Sequence, residues 1–337
     1  MGSALANALV RAGWDVNLWG TWLDDHLLDA IEAGTPHPRI DVTISDKVRL
    51  YRSGDLDRAL DGVDVVALSV ASVGVKKVVE MALPGIVKAD ALWMTTKGFL
   101  TADDGTIELL PAGIRRIAAS AGVSLPPLVA VAGPVKANEC AADEPTATIF
   151  GCSDYETAVT YAREARSDNY CIEPSADETG VEVCAPMKNV YAIALGIADG
   201  LEEKEGRPHH NLKAATFAQA VREMSILSQR LGADPATAYG LPGVGDLEVT
   251  GLSGRNKVYG VRIGRGEGAR AALATMDELE QTVEGVNAIP LAIGLVEQSA
   301  ADIKDQMPLL YAARQIVYDD DPHYATVLAR AVLPPMP

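Results

Sequence analysis

Three short segments of this 337-residue chain combine residue types that could do chemistry. Pro186-Met187-Lys188-Asn189-Val190-Tyr191-Ala192 runs on into Ile193-Ala194-Leu195-Gly196-Ile197-Ala198-Asp199-Gly200, an apolar helical pattern with one Lys and one Asn near its start. Lysines are rarely buried without a partner. Apolar surroundings disfavour an ammonium and favour the free amine that a general base needs. The plain structural alternative is a lysine that snorkels to the surface. Thr95-Thr96-Lys97-Gly98-Phe99 follows an apolar strand pattern, and ligands collect at the carboxyl ends of parallel strands. A lysine there can meet an anion or a carbonyl oxygen, or it can be an ordinary solvated loop residue. Gly243-Val244-Gly245-Asp246-Leu247, Thr250 and Gly254-Arg255-Asn256 read as a glycine loop with an arginine. Glycine lets backbone approach a ligand. Asp246 can orient a catalytic lysine or bind a hydroxyl, Arg255 offers forked donors to a phosphate, and Asn256 adds a neutral donor.

The elements that must position these segments change character along the chain. Residues 4–13 read as the end of a helix closed by Gly13, Asp15–Gly20 as a strand and Asp24–Ala33 as a helix stopped at Gly34. Val63–Val70 is a continuous apolar, β-branched run of the kind buried on both faces of a parallel sheet. Ser72–Ala82 and Ile107–Ala121 read as helices, and Ala91–Thr95, Leu128–Ala132 and Thr146–Phe150 as strands. This alternation predicts a doubly wound, Rossmann-like α/β domain over residues 1–178. Beyond a turn-rich boundary at Pro174–Gly180 the strand signal fades. Helices over Met187–Leu201, Asn211–Leu231, Gly268–Ala274, Asn287–Ser299 and Leu309–Tyr318 predict an all-α domain over residues 179–337, with a frayed PPMP tail.

A doubly wound domain ordinarily opens with a strand, then G-x-G-x-x-G, then a helix whose N-terminus faces a dinucleotide pyrophosphate. Met1-Gly2-Ser3-Ala4-Leu5-Ala6 reads as the end of such a fingerprint. The expectation is therefore that the first strand and first two glycines are missing, the start being an internal Met, and that Gly2 belongs to the cofactor site. The second strand ends in Gly20-Thr21 without an acid for a ribose hydroxyl, which favours NADP, although Asp24 and Asp25 follow closely.

Bulk composition excludes several classes. The net charge of −17 argues against a nucleic-acid partner, which needs basic surface. A few cations can still focus a positive field for an anionic substrate. The acidic surface fits either a high-salt habitat or solubility alone. No run approaches the roughly 18 apolar residues of a membrane span, and no secretory signal is visible. Cys140, Cys152, Cys171 and Cys184 form no C-x-x-C pair, and the five histidines show no ligand spacing. A cytoplasmic protein with structural thiols and no metal is the expectation.

In this order and spacing the three segments resemble the NAD(P)-dependent glycerol-3-phosphate dehydrogenases. The likeness runs from Met1–Ala6 to Glu284-Gly285 and is carried by K-N-V-Y-A-I-A-x-G-I-A-D-G and G-x-G-D-L-x-x-T…G-R-N. T-K-G, A-G-P-x-x-A-x-E at Ala132–Glu139 and V-E-G at Val283–Gly285 reinforce it, while W-G-T at Trp19 and H-P-R at His37–Arg39 look closer to the archaeal branch. The resemblance implies reversible hydride transfer between NAD(P)H and dihydroxyacetone phosphate, serving phospholipid synthesis or glycerol catabolism. It implies Lys188 as general base, Lys97 polarising the carbonyl and touching substrate and cofactor, and Asp246 and Thr250 at the reacting end. Arg255 and Asn256 hold the phosphate, with Asn189 beside them. Gly133, Ala137 and Glu284 contact substrate or cofactor, and Arg255 is counted with the cofactor contacts as well. Val135 stands where the family carries Ser or Thr, and Gly254 where many bacterial members carry Ser. A homodimer, a related keto-acid reductase and a non-catalytic relative stay open at this point.

Overall fold

The computed structural model describes residues Met1–Leu333, so the PPMP tail lies outside the described residues. Along the chain run α1 (Gly2–Arg11), β1 (Asn17–Trp19), α2 (Asp25–Glu32), β2 (Arg49–Tyr51), α3 (Leu56–Ala59), β3 (Val65–Leu68), α4 (Val75–Ile86) and β4 (Ala91–Met94). A hairpin of β5 (Phe99–Thr101) and β6 (Ile107–Leu109) follows. Then come α5 (Leu110–Ser120), β7 (Leu128–Ala132), α6 (Ala137–Ala141), β8 (Thr146–Gly151), α7 (Tyr155–Glu164) and β9 (Tyr170–Ser175). The remainder is helical: α8 (Glu178–Glu205), α9 (His210–Arg230), a π-helical turn at Leu241–Gly245, α10 (Asp246–Leu252), α11 (Arg255–Arg265), α12 (Ala269–Glu278), α13 (Glu284–Ser299), α14 (Pro308–Tyr318) and α15 (Tyr324–Val332).

The chain divides into two compact units, Met1–Leu100 with Leu110–Glu178, and Thr101–Leu109 with Thr179–Pro337. The first unit is Rossmann-like. Its five-stranded sheet has the order β3-β4-β7-β8-β9, and β1 and β2 form a separate parallel pair. β3, β4 and β7 are mutually parallel, so their carboxyl ends share one edge. The sheet is not parallel throughout: β8 runs antiparallel to β7, then β9 returns parallel to β8 through α7. Apolar pattern carries no strand direction, which is why the sequence could not report this reversal. Among the described residues β3 has only β4 as a ladder partner, and Ala67 is exposed. The expectation of a strand covered on both faces therefore does not hold. Trp93 on β4 centres the core, with Trp14, Phe150 and Tyr161 edge-on at 5.4, 5.0 and 5.3 Å.

Two further differences concern boundaries. Ile107–Leu109 belongs to the hairpin rather than to α5. Gln298 of α13 holds that hairpin through the Ile107 N–H and the Gly105 carbonyl, and tertiary bonds of this kind override local helix preference. The stretch read as turn-rich holds the end of a strand at Ser175 and the start of a helix at Glu178, and the division between the units falls within it.

The second unit is built around α8. This 28-residue helix meets the length and hydropathy of a membrane span, yet its most apolar 18-residue window is entirely buried inside the protein. A helix apolar on all sides belongs at the centre of a bundle.

Candidate active site

Lys188 and Asn189 lie near the middle of α8 and are 7% and 4% exposed, so both need polar partners. The partners come from the segment read as a glycine loop, and here the sequence reading is corrected. Residues 241–252 form a π-helical turn followed by α10, and α11 begins at Arg255. Gly243 serves close packing of the turn. A Cβ on Gly243 would fall 1.9 Å from the Ala238 carbonyl oxygen. The tight turn places Asp246 at the first position of α10, and Thr250 follows one turn later on the same face. Lys188 Nζ donates to Asp246 Oδ1 at 2.5 Å and to Thr250 Oγ1 at 2.8 Å. Asp246 is fully buried, so the pair supplies each group with the opposite charge that burial demands. Lys188 does not snorkel.

Asn189 starts a second set of bonds. Its Oδ1 accepts from Asn256 Nδ2 at 3.0 Å, and its Nδ2 donates to Glu284 Oε2 at 3.2 Å. Asn256 Oδ1 in turn accepts the Gly285 N–H at 2.8 Å. Gly285 is required by the approach of α13 to α8, because a Cβ there would sit 2.4 Å from the Asn189 carbonyl oxygen. Arg255 Nη2 lies 3.7 Å from Glu284 Oε1, and the arginine side chain is half exposed. The structure thus forms two sets of bonds from adjacent residues of α8 within the second unit: Lys188 with Asp246 and Thr250, and Asn189 with Asn256, with Glu284 and, through Glu284, with Arg255. The sequence reading assigned Glu284 a ligand contact but missed that it bridges Asn189 and Arg255. Only the acid in V-E-G hinted at it.

The remaining expected residues lie in the first unit. Thr95 and Thr96 pin the loop after β4: Thr95 Oγ1 bonds Ser69 Oγ at 2.7 Å, and Thr96 Oγ1 donates to the Val70 carbonyl at 2.8 Å. Gly98 packs so closely that a Cβ would meet Ser72 Cβ at 2.5 Å. Lys97 is presented between these fixed points, and it lines a small cavity with Met1, Thr95, Gly133, Val135 and Thr148. Gly133 follows β7 with φ 132°, and a Cβ there would be 3.0 Å from Thr148 Cα. Gly2 opens α1 against Ser69, and Ala137 opens α6. Small residues at strand carboxyl ends, with the helix start at Gly2, fit a dinucleotide phosphate. Asp24 Oδ2 accepts from Thr21 N at 3.0 Å and Thr21 Oγ1 at 2.6 Å, so it is engaged with its own turn. Among the described residues no group of three or more His, Cys, Asp or Glu could hold a metal ion.

Comparison with known proteins agrees across the chain. Residues 1–158 match the model of the NAD-dependent glycerol-3-phosphate dehydrogenase N-terminus, and residues 177–327 that of its C-terminus. An NADP(+)-dependent glycerol-3-phosphate dehydrogenase of Archaeoglobus fulgidus is 32% identical over 95% of this chain and 92% of that protein. A glycerol-3-phosphate dehydrogenase [NAD(P)+] of Geobacter metallireducens is 31% identical over 97% and 92%. The crystal structure of glycerol-3-phosphate dehydrogenase from Coxiella burnetii superposes with a TM-score of 0.81 at 26% identity, covering 98% of this chain and 96% of that one. With both halves matched and a buried Lys-Asp-Thr group in the second, the chain belongs to the NAD-dependent glycerol-3-phosphate dehydrogenase family.

Proposed function

We propose that this chain catalyses reversible hydride transfer between NAD(P)H and dihydroxyacetone phosphate, giving sn-glycerol 3-phosphate. The observation that carries the reading is the clasp of Lys188 Nζ by Asp246 and Thr250, with the neighbouring Asn189 tied through Glu284 to Arg255. Bound nicotinamide supplies or accepts the hydride. Lys188 gives a proton to the C2 oxygen as the ketone is reduced and takes it back on oxidation. Asp246 and Thr250 hold that amine in place. The Arg255 guanidinium grips the phosphate, and binding energy gained there aligns the reacting carbon. Glu284 limits where Arg255 can point. Gly2, Lys97, Gly133 and Ala137 are assigned to cofactor and substrate contacts of the first unit. Four free cysteines support a reducing, cytoplasmic setting.

The test is direct. Purified protein mixed with dihydroxyacetone phosphate and NADH or NADPH should consume reduced cofactor, and Arg255→Ala should raise KM for the phosphorylated ketone by roughly tenfold or more, since a charged contact is lost. Absence of turnover across a range of salt concentrations would sink the reading. Turnover of an unphosphorylated keto acid, indifferent to Arg255→Ala, would replace it with a keto-acid reductase.

A further inference from the structure

α8 and α11 touch through glycine alone along part of their length. Cβ atoms on Gly196 and Gly200 would fall 2.2 Å from the carbonyl oxygens of Lys257 and Val261. Those on Gly260 and Gly264 would fall 2.0 and 2.3 Å from the carbonyls of Ile193 and Ile197. Gly196 stands opposite Gly260, and Gly200 opposite Gly264, so the helices run parallel at one constant offset. Such a seam fixes how closely the backbones approach. A charged tie beside it adds a restraint on where the ends of α10 and α11 sit against α8.

Lys257, two residues after Arg255, supplies that restraint. Its Nζ lies 2.9 Å from Asp199 Oδ2 on α8 and donates to the Leu252 carbonyl, the last residue of α10, at 3.1 Å. The other Asp199 oxygen is 2.8 Å from Lys213 Nζ on α9. Asp199 and Lys257 side chains are 19% and 20% exposed, so the pair is sheltered from the screening that makes surface ion pairs weak. Burial alone would raise the Asp199 carboxyl, and the two lysines hold it below its ordinary value. One ammonium therefore gathers α8, α10 and α11, which carry Lys188 with Asn189, Asp246 with Thr250, and Arg255 with Asn256.

We propose that Lys257, anchored by Asp199, is a positioning residue that fixes the span between the phosphate grip of Arg255 and the amine of Lys188. This rests on the reading of the site given above. The span matters only to a molecule that must reach both ends, and that makes the role separable from fold stability. In Lys257→Met, kcat/KM for dihydroxyacetone phosphate should fall roughly ten- to a hundredfold, the scale set by misplacing reacting groups by about an ångström. Turnover of unphosphorylated dihydroxyacetone should change by less than about twofold, and so should competition by inorganic phosphate, because each uses one end only. Lys257→Arg should recover most of the loss, since it keeps the charge that pairs with Asp199. Equal losses on both ketones would overturn the proposal in favour of a general structural role. Weaker binding of inorganic phosphate would overturn it in favour of direct contact. If Lys257→Met does not fold, Asp199→Asn is measured against the same three ligands with the same outcomes. Wild-type protein that reduces neither ketone would refute the functional reading itself, a result distinct from either of these.

Discussion

At the scale of single residues, two of the buried charged sites carry the sharpest tests. Lys188 and Asp246 are the first. Lys188→Met should abolish most turnover, by roughly 10²- to 10⁴-fold, and leave a buried carboxylate without its cation. Lys188→Met/Asp246→Leu should then unfold at higher urea than Lys188→Met alone, with no return of activity. A double variant less stable than the single would show that Asp246 has other work in the fold. The second place is Glu223 on α9, which is fully buried. Its carboxylate accepts from the Leu309 and Leu310 N–H groups, Tyr191 Oη and Gln219 Nε2, at 2.6, 3.0, 2.8 and 2.9 Å. Burial pushes its carboxyl up to about 7, against the pull of those four donors. A raised folded-state value means the group's contribution to stability is complete below about pH 4.5 and is lost as pH rises toward 7. The stability advantage of wild type over Glu223→Gln should therefore shrink across that window, read from urea midpoints. A difference that stays constant would show Glu223 ionised throughout.

At the scale of elements, glycine decides where helices can go. The α8–α11 seam tolerates no Cβ, since one on Gly260 would reach within 2.0 Å of the Ile193 carbonyl. Gly260→Ala should force the helices apart and cost about 1–3 kcal/mol in denaturant unfolding, as overpacking does. It should lower turnover too, because Asn189 and Asn256 sit on those two helices and bond each other at 3.0 Å. Gly54→Ala, with no atom within 4 Å of the added Cβ, is the control and should change neither. Loss of stability in Gly260→Ala with full activity would mean that the separation of these helices does not govern the site.

At the scale of the whole molecule, 46 acidic against 29 basic residues leave a net charge of −17. Self-repulsion of that size favours expanded states, and salt screens it over about 10 Å at 0.1 M and about 3 Å at 1 M. The melting temperature should therefore climb as KCl is raised through that range. A flat or falling curve would show that local ion pairs, such as Arg52 with Asp29 and Glu32, outweigh the net field. The same scale explains α8: composition alone fits a membrane span, and only the burial of its apolar window inside the protein identifies it as the centre of the second unit.

Much of the site was legible because its residues break local rules. A lysine in an apolar helical run, an arginine beside glycines and a T-K-G after a strand each stand out, and their order along the chain pointed to the family. What the chain by itself determined was which faces are apolar, hence the strand–helix alternation and the helical second half. What only tertiary structure decided was partnership. Lys188 meets Asp246 across 58 residues and Asn189 meets Glu284 across 95. Residues 243–252, read as a glycine loop, are helical, with Gly243 at backbone contact against Ala238, and β8 reverses direction with no trace in its own residues. Local sequence encodes how much of a residue must be buried, but which distant group then satisfies it depends on packing, where close approach and charge compensation are settled together.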